Sequence, residues 1–239
     1  MVSKNQRKQI QQLKQKKYRQ LYRKFVAEGD KVVQEFLNLG WTCDLLCAQH
    51  PEKYSNAIPV DVIIMKQITH FSTPSPVLAV FDLPQPSDLR LESVTLVLDG
   101  IRDPGNLGTI IRLCDWFGLS QLICSTDTVD CFNSKTVQAS MGSLARVACH
   151  YIEDLPKFLS SQHQPIFGAD LKGKSLYSFS FPKEGIYVFG SESHGLTKAM
   201  KAIINTQITI PNFRKDRGPE SLNVATASAI FLSELFRAR

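Results

Sequence analysis

The sequence predicts an α/β fold, a parallel sheet flanked by helices and preceded by a small α/β domain, on three observations. From Val94 onward, short β-branched runs alternate with segments of helical spacing, the signature of βα units that build a parallel sheet covered on both faces. The stretch VTLVLDGIRDPGNLGTIIRLCDWFG, Val94 to Gly118, changes period at a turn of Asp, Gly, Pro and Asn. A buried strand there gives way to a helix marked by Leu107, Ile110, Ile111 and Leu113. Ahead of it, two prolines and a polar cluster in LPQPSDLRLE mark a boundary between residues 1-90 and 91-239.

Taken in order, the chain opens with a basic segment. Residues 1 to 24 hold nine Lys or Arg and no acidic residue, whereas the remainder has 19 basic against 22 acidic, so the +6 formal charge is an N-terminal feature. Ile10, Leu13, Leu21 and Phe25 fall on one side of a helical projection and predict a basic N-terminal helix. It reads either as a solubilising helix docked by a thin apolar stripe or as an arm contacting phosphates through Lys14, Lys16, Lys17, Arg19 and Arg23. Missing Glu and Asp favour the arm. KFVAEGDKVVQEFLNLG then predicts an extended start and a helix with Val32, Val33, Phe36 and Leu37 inward, stopped by Gly40. Three short apolar segments, WTCDLLCA, VDVIIMK and SPVLAVFDL, complete the small domain.

Beyond Gly118, LSQLICS predicts a strand, SKTVQASMGSL a helix, ARVACH a strand, IEDLPKFLSS a helix and QPIFGAD a strand. KEGIYVFG is a buried strand ending at Gly190, SESHGLTKAMKAII a turn and helix, and TQITIPN a strand. SLNVATASAIFLSELFR is a long helix with Leu222, Ala225, Ala229 and Leu232 on its packing side. In CDWFG, Trp116 and Phe117 read as core or dimer surface rather than a base-stacking platform.

Six cysteines lack the paired spacing of a zinc site and sit inside predicted elements, which suits buried thiols in a reducing compartment. No apolar run approaches the ~20 residues of a membrane span, and the lysine- and glutamine-rich start favours the cytoplasm over an organellar transit sequence.

Three strand ends concentrate unusual residues: DGIRDPGNLGTIIR, FGSESHG and IPNFRKDRGPESLNV. GNLG does not make G-x-G-x-x-G, and GxxxxGK[ST] is absent, so dinucleotide binding and nucleotide hydrolysis lose their usual support. Asn106 stands where the first helix needs a cap, and Arg112 follows further along the same helix. Gly190 permits close backbone approach, Pro211 fixes a turn, and SLN supplies free N–H groups and short polar side chains at a helix start. His194 reads as an exposed loop histidine rather than a base, and Asp170 and Glu220 are indistinguishable from ordinary caps.

Together these stretches resemble the three signature motifs of the SpoU/TrmH family of RNA ribose 2'-O-methyltransferases, in the SPOUT superfamily. Asn106, Gly108 and Arg112 match the first motif; Phe189, Gly190, Glu192 and Gly195 the second; Ile210, Pro211, Ser221, Leu222 and Asn223 the third. The resemblance implies a C-terminal trefoil knot, a preceding L30-like domain that binds structured RNA, and a homodimer. It implies S-adenosyl-L-methionine as cofactor, held by Gly190, Ile210, Pro211, Ser221, Leu222 and Asn223, with Arg112, Asn106 and Glu192 catalytic and no metal. Ribosomal RNA is preferred to transfer RNA because the N-terminal domain is present; a catalytically silent RNA-binding or ribosome-assembly factor is the rival. The Pro211 to Ser221 segment is about three residues longer than many family members have. Its Arg214, Lys215 and Arg217 read either as RNA contacts or as a solvated charged loop.

Overall fold

Burial on both faces explains the central strands of the larger sheet. In the computed structural model, which describes residues 2–214 and 220–237, every residue of Val94–Asp99 is buried. The chain divides into two packing units, Met1–Ser87 with Asp130–Ala145, and Asp88–Val129 with Arg146–Arg239.

The first unit holds α1 (Lys4–Gln12), α2 (Lys16–Tyr22), β1 (Lys24–Glu28), α3 (Asp30–Asn38), β2 (Cys43–Ala48), β3 (Ile58–Pro59), α4 (Val62–Ile68) and β4 (Val77–Asp82). Its sheet runs β1-β4-β2-β3, antiparallel except between β2 and β3. Val32, Val33 and Phe36 are buried as their spacing predicts, while Leu37 is half-buried. Phe36 packs against Phe25 and Phe81 with ring centroids 5.2 Å away from each.

The basic N-terminal segment departs from its expected form in two ways. It is two short helices, because the Arg19 guanidinium takes the carbonyls of Leu13 and Lys14 at 2.8 and 2.9 Å. Those are acceptors of the kind a helix end leaves open. With the axis broken, Leu21 turns out to 69% exposure while Ile10 and Leu13 remain buried, and Phe25 lies on a strand. VDVIIMK is a helix started by Asp61, whose Oδ1 accepts from the Ile64 N–H at 2.7 Å.

The second unit contains β5 (Val94–Asp99), α5 (Pro104–Trp116) and β6 (Gln121–Ser125). After α6 (Ser134–Ala139), which packs in the first unit, come β7 (Ala148–Ile152), α7 (Leu155–Ser160), β8 (Ile166–Ser175) and β9 (Gly185–Gly190). The chain closes with α8 (Lys198–Ile203), β10 (Thr206–Thr209) and α9 (Val224–Arg237). The sheet order is β10-β8-β9-β5-β6-β7 and every pairing is parallel. This is the predicted parallel sheet. The order reverses direction about β5, and ligand sites of such sheets gather beyond the carboxyl ends of strands near that switch. On α9, Ala225 and Leu232 are buried as expected, but Leu222 precedes the helix and is 47% exposed. Trp116 is 81% exposed, which removes it from the core, and the Phe117 ring packs tilted against that of Phe236 of α9 at 5.1 Å.

Candidate active site

Two helix starts and one strand-end loop of the second unit converge. α5 is capped by Asp103, whose Oδ1 accepts from the Asn106 N–H at 2.8 Å, and Pro104 fills the first helical position. Asn106 is therefore not the cap. Standing in the first turn, it keeps its side-chain amide for other partners. The Asp-Pro pair is the readable signal for this arrangement.

Asn223 starts α9, accepting from the N–H groups of Ala225 and Thr226 at 3.0 and 3.2 Å. Its Nδ2 donates to the Asn106 Oδ1 at 2.9 Å, and the Asn106 Nδ2 donates to the Glu192 carboxylate. A continuous line Asn223, Asn106, Glu192 thus links all three predicted motifs. An amide serves in the middle because it accepts at one atom and donates from the other.

The loop carrying Glu192 is tightly built. Ser191 and Gly195 exchange two backbone hydrogen bonds, of 3.1 and 2.8 Å, and a Cβ on Gly190 would fall 2.2 Å from the Gly195 carbonyl carbon. Only glycine fits at 190. Asp99, buried at the end of β5, accepts from the Thr197 N–H at 2.8 Å and fixes the far end of the loop, a part that no local feature of the sequence signals.

Beside this line opens a cleft of about 660 Å³, within the range of small-molecule sites. Gly190, Glu192, Ile210, Pro211, Ser221 and Leu222 line it. Phe189 and Phe231 add an apolar wall, their rings meeting edge to face at 5.3 Å. Asn223 and Asn106 stand outside that lining and bound it through their link to Glu192.

Arg112 lies six residues beyond Asn106 on α5, about a third of a turn off its face and about 9 Å along the axis. It is exposed, and its side chain makes no hydrogen bond or ion pair among the described residues. The motif residues alone allow a Glu192–Arg112 pair; in the fold Glu192 bonds Asn106 instead. His194 is exposed, its Nδ1 2.7 Å from the Ser193 Oγ.

The basic residues divide. Lys14, Lys16, Lys17 and Arg23 are exposed, the last donating to the Pro84 carbonyl at 2.6 Å. Arg19 is 2% exposed and paired with Asp130 at 2.5 Å, so it has no surface to offer a phosphate. Arg214 lines the cleft, and Lys215 and Arg217 lie outside the described residues.

The model of the SpoU rRNA methylase family matches residues 93–233, more than half the chain. The chain belongs to the SpoU rRNA methylase family. Residues 4–79 match a substrate-binding domain of the MRM3-like type, found here ahead of the SpoU methylase region. The 23S rRNA (guanosine(2553)-2'-O)-methyltransferase RlmP of Bacillus subtilis is 28% identical over 246 residues, covering 98% of this chain and 97% of that one. A TrmH-family protein of Porphyromonas gingivalis shares 38% identity and a TM-score of 0.89 over 100% of both chains. The AdoMet-bound rRNA methyltransferase of Sinorhizobium meliloti shares 29% identity and a TM-score of 0.83, with 99% and 97% of the two chains covered.

Proposed function

We propose that this SpoU-family chain transfers a methyl group from S-adenosylmethionine to a ribose 2'-hydroxyl of ribosomal RNA. The observation that carries the reading is the Asn223, Asn106, Glu192 line bordering a cleft of cofactor size. The residues fit the cofactor: Phe189, Ile210, Leu222 and Phe231 offer a base an apolar wall, and Glu192 offers a cation a carboxylate. Gly190 keeps the backbone bare of a side chain where the loop closes. Bound there, the cofactor supplies an electrophilic methyl carbon on a sulfonium.

Asn106, gripped from both sides, fixes the spacing between α5, α9 and the Glu192 loop. Arg112 supplies the cation that holds an RNA phosphate and aligns the 2'-oxygen. A guanidinium, whose pKa exceeds ~12, is a weak base, so alignment outweighs proton removal in its role. Its displacement from the Asn106 face supports the view that it serves a paired catalytic domain in a homodimer. The exposed Trp116 and the α5–α9 contact at Phe117 and Phe236 offer that pairing a surface.

Residues 1-90 form the RNA-binding domain in this reading, with Lys14, Lys16, Lys17 and Arg23 on its exposed side and Arg214 beside the cleft. The knotted path of the C-terminal third belongs to the same proposal, supported by the non-sequential order β10-β8-β9-β5. No helix among the described residues is long and apolar enough to cross a membrane; a cytoplasmic site of action is part of the same proposal. The test is a map of 2'-O-methylated nucleotides in total RNA from cells with and without the chain. Loss of one ribosomal mark supports the proposal. Loss confined to transfer RNA moves the substrate, and an unchanged map, together with no transfer of labelled methyl by the purified protein, favours the silent RNA-binding factor.

A further inference from the structure

β8 does not run evenly beside β10. Gly168 pairs with Gln207 and Lys174 with Ile208, so the five residues 169–173 bulge out between consecutive partners on the neighbouring strand. Bulges re-aim side chains and gather near active sites. This one is built in place. A Cβ on Gly173 would sit 2.4 Å from the Gln207 carbonyl oxygen, and the Thr209 hydroxyl donates to the Leu171 carbonyl at 3.1 Å. Ala169, Asp170 and Leu171 of the bulge line the cleft.

Asp170 is the polar group at that turn. Its Oδ1 accepts from the Leu171 N–H at 2.7 Å, and its Oδ2 meets the Lys201 ammonium at 2.9 Å, with 18% of its side chain exposed. A carboxylate has about four lone-pair sites, so each oxygen retains acceptor capacity. Lys201, from α8, lines the same cleft and orients Asp170 through that contact.

We propose that Asp170 accepts hydrogen bonds from the ribose hydroxyls of the bound nucleoside cofactor and sets the site's preference for a ribonucleoside. This rests on the methyltransferase reading above. Strand order supplies the argument. Across β10, β8, β9 and β5, the cleft residues run from Ile210 just past β10, through Asp170 on β8 and Gly190 at the end of β9, toward Asn106 following β5. Strands are about 4.8 Å apart, so Asp170 stands roughly 10 Å across the sheet from β5. The reacting methyl belongs at the Asn106 end and the base on the apolar Ile210 and Leu222 side. Asp170 lies between them, where the ribose joins base to sulfur. A ribose diol also presents two adjacent donors, matching two carboxylate oxygens.

The test is calorimetric binding to the full chain of S-adenosylhomocysteine, its 2'-deoxyribose analogue and 5'-methylthioadenosine, which has no amino-acid end. Asp170→Ala is expected to weaken S-adenosylhomocysteine and methylthioadenosine alike, by roughly 10- to 100-fold. The deoxy analogue should bind the unaltered chain more weakly than its parent, with that discrimination abolished in Asp170→Ala. Lys201→Met leaves the carboxylate but removes the cation that orients it, and should weaken the discrimination without abolishing it. Should Asp170→Ala not fold, Asp170→Leu, which also has no acceptor, is read by the same comparison. A loss for S-adenosylhomocysteine but not methylthioadenosine assigns Asp170 to the amino-acid ammonium and overturns the proposal, as does discrimination that persists without the carboxylate. If the unaltered chain binds neither S-adenosylmethionine nor its product, the methyltransferase reading fails and this assignment with it; binding indifferent to Asp170 removes this assignment alone.

Discussion

Arg19 and Arg112 are the same side chain held in opposite ways. Arg19, in the first packing unit, makes four hydrogen bonds: Nε and one terminal nitrogen to the Asp130 carboxylate at 3.0 and 2.5 Å, the other to the Leu13 and Lys14 carbonyls. Arg112, in the second unit, is exposed and makes none among the described residues. A buried guanidinium must be saturated, because an unmatched charge out of water is expensive. An exposed one is stabilised by water and can exchange that water for a phosphate. Saturation separates the structural arginine from the one free to meet a substrate.

The sharpest way to break this contrast is to remove each guanidinium's role in turn. Arg112→Ala should lower methyl transfer to ribosomal RNA by about 100- to 10,000-fold while shifting stability by no more than about 0.5 kcal/mol. Labelled-methyl incorporation beside a thermal melt checks both halves. Near-normal turnover would take Arg112 out of the reaction. Asp130→Ala should do the reverse, destabilising the fold by about 3–5 kcal/mol because the Arg19 charge is left buried and unpaired. Urea unfolding reads that loss, and a change under about 1 kcal/mol would show that water reaches Arg19 after all.

Nothing in the local sequence marks Arg19 as the buried one. Arg19 sits in KKYRQLYRK among exposed lysines, and its partner is 111 residues away. The same distance hides the fact that Asp130–Ala145 pack with the first unit, where the Phe132 ring lies 4.8 Å from that of Phe25. What is legible has a local cause. Parallel strands buried on both faces show as continuous apolar runs, so β5, β6, β9 and their following helices can be read directly. The three motifs are legible as residue types, and their meeting through Asn223, Asn106 and Glu192 requires the fold. Leu21 leaves the predicted apolar stripe because a helical projection assumes an unbroken axis, which Arg19 interrupts.

The closed side of the contrast includes His70. Its Nε2 donates to the Ile10 carbonyl at 2.8 Å, leaving Nδ1 to accept from the Ser134 hydroxyl at 2.5 Å. Burial pushes its pKa down to about 4, with Lys14 and Arg19 acting in the same direction and the Ile10 contact opposing. Because the unfolded chain takes up this proton first, the stabilisation is complete above pH ~6.5 and fades as the pH falls toward 4, by up to about 3 kcal/mol. Glu28 works the other way: burial raises its carboxyl pKa despite bonds from Thr69 and the His70 N–H, so its contribution is full below its unfolded pKa and fades as the pH rises. Urea midpoints between pH 7 and 4.5 should fall for the unaltered chain and fall less for His70→Gln. Parallel curves would mean that His70 is protonated without penalty.

The open side ends with the lysines, and the effect expected there is the smallest. Deleting residues 1 to 24 would be a poor test of them, since Ile10 and Leu13 are buried and Lys24 begins β1, where its ammonium meets Asp82 at 2.7 Å. Lys14, Lys16 and Lys17 are exposed and can be changed without emptying the core. Replacing all three with glutamine should leave the melt unchanged and flatten the dependence of log affinity for ribosomal RNA on log salt. The slope should fall by roughly 0.7–0.9 for each phosphate that is no longer neutralised. Methyl transfer should then need more RNA to saturate while its maximal rate holds, because a phosphate clamp remote from the reacting oxygen contributes uniform binding. An unchanged slope would mean that these lysines, exposed as they are, solvate the helix and hold no RNA. Exposure would then be necessary but insufficient for a cation to serve the substrate, and the burden of recognition would move to the side chains around the cleft.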